Sequence, residues 1–266
     1  MSTYSDEHKL FLKKFKKNKL IVNISRIAIL LIFLVGWEIF AKYKLINTFL
    51  TSCPSEIINT TISLIKDGSL FNHIGITLYE IFITFIVSFT LSMLIATLMW
   101  IVPTFSKIID PYLTVLNSLP KVALGPLIII WAGSGSKSII LMGLLISIFV
   151  TTINIYSGFS STDNKYIILL KSFGANRLKV FFKVVIPSNI SNIISALKVN
   201  ISMDYIGVVM GELLVSKIGL GYLIMYGSSV FHIDLVITSV FILCLLSYIM
   251  YFLVELLEKH FKKNIA

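Results

Sequence analysis

Long uninterrupted apolar runs decide what this chain can become. Six of them, near 24–43, 76–101, 107–132, 138–158, 190–215 and 234–254, approach or exceed the ~20 residues that a helix needs to cross the hydrocarbon of a bilayer. Backbone N–H and C=O groups find no water in lipid, so each run must close its own hydrogen bonds as a helix. The runs are continuous rather than alternating, which argues against a transmembrane barrel. Composition agrees: 56% of the 266 residues are hydrophobic and only 14% are charged, against about a quarter charged in soluble domains. The expectation is an all-α polytopic membrane protein. One transmembrane domain, 24–258, lies between basic tails at 1–23 and 259–266.

The lysines and arginines assign the sides. Lys9, Lys13, Lys14, Lys16, Lys17, Lys19 and Arg26 precede the first span. Lys165, Lys171, Arg177, Lys179 and Lys183 crowd the segment between the fourth and fifth, and Lys259, Lys262 and Lys263 end the chain. The alternate segments carry few, so the positive-inside rule places both termini of a multi-pass membrane protein in the cytoplasm. A net charge of +10 invites a nucleic-acid reading. The basic residues flank apolar runs instead of forming a stripe with stacking aromatics, which excludes it. No small-x-small pattern follows the first run, so it reads as a retained span and not a signal peptide. By this assignment Cys53 lies outside the membrane and Cys244 within the last span, so they cannot pair, and no Cys/His cluster has zinc-ligand spacing. His73, His232 and His260 stand alone and read as solvated. Between the first two spans, Pro54 to Ile65 reads as a short surface helix, with Ser55 as its N-cap and Asp67-Gly68-Ser69 as its end.

The basic segment 159–187 carries a pattern of its own. Asp163 is placed to cap a helix through Ile167, Leu170 and Phe173. Gly174 permits the left-handed turn that ends it. Asn176 is placed to cap a second helix in which Leu178, Phe181, Phe182 and Val185 recur at helical spacing, and Pro187 closes it. A helix–turn–helix with an apolar tip has two uses. It lies on anionic lipid as an interfacial hairpin, or it offers its tip to a groove on a partner.

The Gly174-Ala175 pair, with Ile186-Pro187 a dozen residues on, resembles the coupling loop of ABC importer permeases, the binding-protein-dependent inner-membrane components. Other blocks resemble the nitrate/sulfonate/taurine/bicarbonate branch of that family: Trp37-Glu38, Pro54-Ser55-Glu56, Asp110-Pro111, Leu119 to Leu127, Trp131 to Gly135, and Gly211-Glu212-Leu213-Leu214 running into Gly219 to Ile224. Two departures stand out. The family's Glu-Ala-Ala positions hold Ile168, Leu169 and Leu170, and Glu80 stands where the branch usually has arginine. The resemblance implies a type I, MetI-like core with a cytoplasmic coupling helix. It implies a second permease copy, an ABC ATPase dimer that uses ATP and magnesium, and an external solute-binding protein. This chain itself binds no cofactor and carries no phosphate-cradling Gly-x-x-x-x-Gly-Lys-Ser/Thr run. ATPase coupling is thereby expected at Leu169, Leu170, Phe173, Gly174, Ala175 and Arg177. The solute is expected to be small and of the sulfonate, nitrate or taurine type.

Ionisable and helix-breaking residues at membrane depth mark the remaining candidates. Lys121 sits between Pro120 and Pro126, which free carbonyls and kink or break the third span. Asp204, beside Tyr205, is near mid-depth and is expected to face a cavity or to pair with Lys121 or a neighbouring subunit. Lys198 is near enough to one end to snorkel. Glu212 is expected to place the Gly219–Tyr222 segment at the outer mouth. Pro120, Lys121, Asp204, Tyr205 and Glu212 are the expected pathway residues. A secondary transporter or channel subunit is the alternative, although no inverted repeat is visible. A membrane-embedded enzyme lacks any paired catalytic residues within the spans.

Overall fold

The computed structural model describes residues 6–263, and these form helices joined by short connections, without a strand. The terminal parts of both expected basic tails, 1–5 and 264–266, lie outside the described residues. The first helix, α1 (Asp6–Lys42), is continuous. The basic segment from Asp6 to Asn23 is therefore helical and runs straight into the first span, where a separate tail was expected. Two short elements follow, α2 (Thr48–Thr51) and α3 (Pro54–Lys66). Cys53, not Ser55, is the residue before α3. Ser55 instead engages α1, its N–H and hydroxyl both donating to the Glu38 carboxylate at 3.0 and 2.9 Å.

α4 (Ser69–Ile101), α7 (Ser136–Ser160), α11 (Ile190–Val215) and α13 (Ile233–Lys263) supply four further helices long and apolar enough to span a membrane. The span at 107–132, expected to kink or break at its prolines, is broken. α5 (Pro103–Ser118) and a helical segment from Lys121 through α6 (Gly125–Ala132) meet at an 87° bend. Pro120 has no N–H to continue the helix, and the residue before it is driven to extended backbone, as Leu119 is at ψ 142°. The broken pair still crosses the bundle. Ser106 near its start donates to Tyr156 close to one end of α7, and the Gly133 carbonyl just past its finish accepts the hydroxyl of Ser138 at the other end of α7.

The remaining elements define the two ends of the bundle. α8 (Asn164–Ser172) and α9 (Arg177–Val180) form a hairpin at the end where α4 and α7 finish. α9 continues through a wide turn, Phe181–Val185, into α10 (Ile186–Ser188). Pro187 donates no hydrogen bond, and the Ile186 N–H bonds back to Phe181 instead of the nearer carbonyl. α12 (Leu220–Ser229) lies at the opposite end, against the start of α4 and on α13.

The interior carries more polar side chains than a soluble core, set beside apolar ones such as Ile81, Ile139 and Val208. α7 packs on α11 and α4, and α4 turns Thr77, Glu80, Thr84, Ser88 and Ser92 toward them, all without solvent exposure. Large apolar residues such as Phe82, Leu94 and Leu98 on α4 point outward. Lipid is as apolar as leucine, so burying leucine between helices gains little, and small or hydroxyl-bearing side chains share the contacts. The closest approach is at Gly207 of α11, where an added Cβ would overlap the backbone of Gly143 on α7.

Candidate functional site

Two regions bring the sequence candidates together. The first is the hairpin. The Asp163 carboxylate accepts the Lys165 N–H at 2.9 Å, and the Asn176 side-chain oxygen accepts the Lys179 N–H at 2.9 Å, so both helices are capped. Gly174 has φ +79°, a value that costs any residue with a Cβ. The Ala175 N–H then donates to the Leu170 carbonyl at 3.1 Å and closes the turn.

The base of the hairpin is fixed firmly. Val180, Phe181 and Val185 are buried; Phe181 and Val185 pack with Ala96, Ile155, Phe159 and Ala196. Phe159 meets Phe181 edge-on at 5.2 Å. The Arg177 guanidinium donates to the Trp100 carbonyl at 2.7 Å and lies over the Trp100 ring, joining the hairpin to the end of α4. Asn189, which sequence reasoning passed over, donates to Thr162 on one side and to the Val185 carbonyl on the other, at 2.7 and 2.9 Å. The tip is the opposite of the base. Phe173 is 81% exposed, and Tyr166, Ile168, Leu169, Leu178 and Phe182 are all uncovered.

The second region is the junction of α4, α11 and α12. The Glu212 carboxylate, 1% exposed, accepts the Thr77 hydroxyl at 2.6 Å and the Gly221 N–H at 2.6 Å. Thr77 in turn accepts the Leu220 N–H at 2.9 Å, and the His73 ring meets both backbone groups of Gly219. Glu212 and Thr77 thus satisfy the free N–H groups that start α12, where a negative charge is also favoured by the helix dipole. Gly219, at φ +133°, has the carboxylate where its Cβ would stand. This gives a physical reason for the Glu-Leu-Leu…Gly-Leu-Gly spacing.

The structure separates the other candidates. Asp204 is 0% exposed and does not meet Lys121 or a cavity. It accepts the Ser88 hydroxyl at 3.0 and 3.1 Å and the Asn200 amide, knotting α4 to α11 inside the chain. Lys121 instead donates to the Asn117 carbonyl and side-chain oxygen at 3.1 and 3.0 Å, near the Phe149 ring. Tyr205 reaches the other way, donating to the Leu243 carbonyl of α13 at 2.6 Å. Lys198 pairs with Glu258. Pro120 is exposed at the bend.

A groove unmarked in the sequence reading lies between α7 and α11 toward the hairpin end. Its volume is about 410 Å³, and Asn154, Ser157, Ser161, Asn192 and Ser195 line it. These residues recur at helical spacing on two apolar helices, the periodic signal that locates them. A row of hydroxyls and amides does not face hydrocarbon.

A model of the family described as binding-protein-dependent transport system inner membrane component matches residues 88–263. The chain is 29% identical to the formylaminopyrimidine transport permease protein ThiX of Halalkalibacterium halodurans, over 86% of this chain and 90% of that one. It is 26% identical to the putative aliphatic sulfonates transport permease protein SsuC of Bacillus subtilis, over 85% and 82%. Among solved structures, the fold resembles a chain of the inward-facing MetNI methionine ABC transporter with a TM-score of 0.63. The likeness covers 76% of this chain and 98% of that one at 14% identity.

Proposed function

Because the chain belongs to the family of binding-protein-dependent transport system inner membrane components, we propose that it forms the membrane pathway of an ATP-driven importer and docks on a separate ATPase through its α8–α9 hairpin. The observation that carries the docking role is the contrast within the hairpin. Its base is locked to α4, α7 and α11 by Phe181, Arg177 and Asn189, while its tip leaves Phe173, Leu169 and Leu178 uncovered. A rigid base with an apolar tip transmits displacement from a partner groove to the bundle. The Ile168, Leu169 and Leu170 departures make this tip larger and more apolar than the family pattern.

The hairpin end faces the cytoplasm, in keeping with the lysine and arginine bias. A second copy of the chain completes the pathway, and an external solute-binding protein delivers solute to the opposite end. Solute passes along the neutral groove of Asn154, Ser157, Asn192 and Ser195, with Pro120 and Lys121 at the broken helix beside it. Asp204 and Glu212 hold the helices that frame it and are not its lining. The named relatives carry unlike solutes, so the solute is a small polar molecule, with aliphatic sulfonates the first class to test.

The test is co-purification of the full chain with the ATPase encoded beside its gene. Phe173→Ser and Gly174→Pro are expected to abolish the complex and the stimulated ATPase activity, while the isolated permease remains folded by size exclusion. A complex of undiminished affinity in both variants would overturn the docking role.

A further inference from the structure

Beside the hairpin base, where α4 ends, α5 begins and α7 finishes, is a cavity of about 280 Å³. Ser106, Lys107, Tyr156, Ser160 and Arg177 give its polar wall, and Trp100 stands on its apolar side. No carboxylate lines it. The acidic residues nearest in sequence are Asp110, exposed one turn along α5, and Asp163, whose carboxylate is taken by the Lys165 N–H.

The polar wall has more donors than acceptors. Ser106, 7% exposed, donates to the Tyr156 hydroxyl at 2.5 Å, which leaves the Tyr156 O–H with no acceptor among the described residues. The Ser160 hydroxyl and the Lys107 ammonium have no hydrogen-bond partner among them, and neither Lys107 nor Arg177 is in an ion pair there. Arg177 uses one arm on the Trp100 carbonyl, and a guanidinium has five N–H groups. Two cations and two spare hydroxyls around one cavity call for an anion with several acceptor oxygens, and a phosphate group matches them through charge-assisted hydrogen bonds. The volume is below the ~300–1,000 Å³ of sites that enclose a whole small ligand, so it suits a headgroup or a small free anion. Trp100 and Tyr156 sit in the last turns of their spans, the level at which such residues meet lipid headgroups. Leu98 and Val102, next to this level on α4, are exposed and offer apolar surface to acyl chains.

We propose that Lys107, Arg177, Tyr156 and Ser160 bind a phosphate group at the hairpin end of the bundle, carried by an anionic phospholipid of the adjoining leaflet. Basic pockets between membrane helices take such headgroups. Inorganic phosphate has the same chemistry, and the experiment separates the two sources. A bound headgroup bridges α5 and α7 to Arg177, which already holds the hairpin to the end of α4. The binding site rests on this geometry alone. Its effect on a partner ATPase rests on the docking role of the hairpin.

The experiment is thermal unfolding of the purified full-length permease in neutral detergent, titrated at equal ionic strength with dioctanoyl phosphatidylglycerol, dioctanoyl phosphatidylcholine, sodium phosphate or sodium sulfate. Wild type is expected to gain Tm saturably with phosphatidylglycerol, by on the order of 5 °C at a hundredfold excess over Kd, and not with phosphatidylcholine. Lys107→Gln, at an exposed position with no partner to lose, is expected to raise the apparent Kd on the order of tenfold. Lys171→Gln, equally exposed but outside the cavity on α8, is expected to leave it unchanged. Native mass spectrometry of wild type given an equimolar mixture of the two lipids is the direct readout should Lys107→Gln fail to fold, with phosphatidylglycerol expected to be the adduct retained. A saturable gain with phosphate, absent with sulfate and with either lipid, would keep the phosphate site and assign it to a soluble anion. No gain from any phosphate source, equal gains from the two lipids, or a loss shared equally by Lys107→Gln and Lys171→Gln would overturn the site.

Discussion

The bundle interior and the hairpin tip treat the same kinds of residue in opposite ways. Between α4, α7 and α11 the polar groups are hidden: Ser88, Asn200, Asp204, Thr77 and Glu212 are buried and bond one another across helices. At the tip the apolar groups are uncovered, with Phe173 the most exposed of them. In lipid, apolar surface costs nothing to leave outside, so polar satisfaction and close backbone contact hold the helices together. At the hairpin, beyond the spans, uncovered phenylalanine and leucine are unfavourable in water and call for a covering surface. Interior positions should therefore be judged by stability, and tip positions by binding.

The largest effect should come from the point where two backbones meet. Gly207→Leu places a side chain where α7 already stands, and is expected to cost ~3 kcal/mol or more and to prevent recovery of a monodisperse protein in detergent. Recovery at the wild-type level would show that the α7–α11 contact is not tight. Asp204→Ala removes the acceptor for Ser88 and Asn200 and leaves both buried without it, at a cost of about 2–3 kcal/mol. Asp204→Asn keeps an acceptor and should lose less. Equal Tm values for the two variants would argue against the hydrogen-bonded knot. Glu212→Ala uncaps α12 and should lower stability by about 1–2 kcal/mol, with faster amide exchange at Gly221 than at the centre of α12. Uniform exchange along α12 would contradict the capping role. Phe173→Ser should change Tm least, corresponding to within about 0.5 kcal/mol, because the side chain touches water in the isolated chain. A large loss of stability there would break the contrast between tip and interior.

Much of this architecture was legible because the strongest local signals survive in lipid. Asp163, Gly174 and Asn176 specify the caps and the turn of the hairpin by rules that need no partner, and the structure has those caps at those residues. The third span shows where local rules stop. Pro120 announces a break, but the 87° bend depends on what α5 and α6 pack against. The placement of Asp204 was not legible for a different reason. Depth along a helix can be read from the chain, but the face it turns cannot, when every face is apolar enough for lipid. The signal that would have helped is the row Thr77, Glu80, Thr84, Ser88, Ser92, which repeats at helical spacing and marks the inward face of α4. Gly207 and Gly211, four apart, mark the close face of α11 in the same way.

The sequence by itself determined the number and rough extent of the apolar helices, their sidedness as an expectation, and the hairpin between the fourth and fifth. These follow from hydropathy, charge and capping, which act over a turn or two of chain. Only the tertiary structure decided that Glu212 caps a helix nine residues away in concert with Thr77, and that Asp204 is sealed between Ser88 and Asn200. Both depend on residues of α4 and α11 more than a hundred positions apart being brought within a hydrogen bond, which no local rule along the chain specifies.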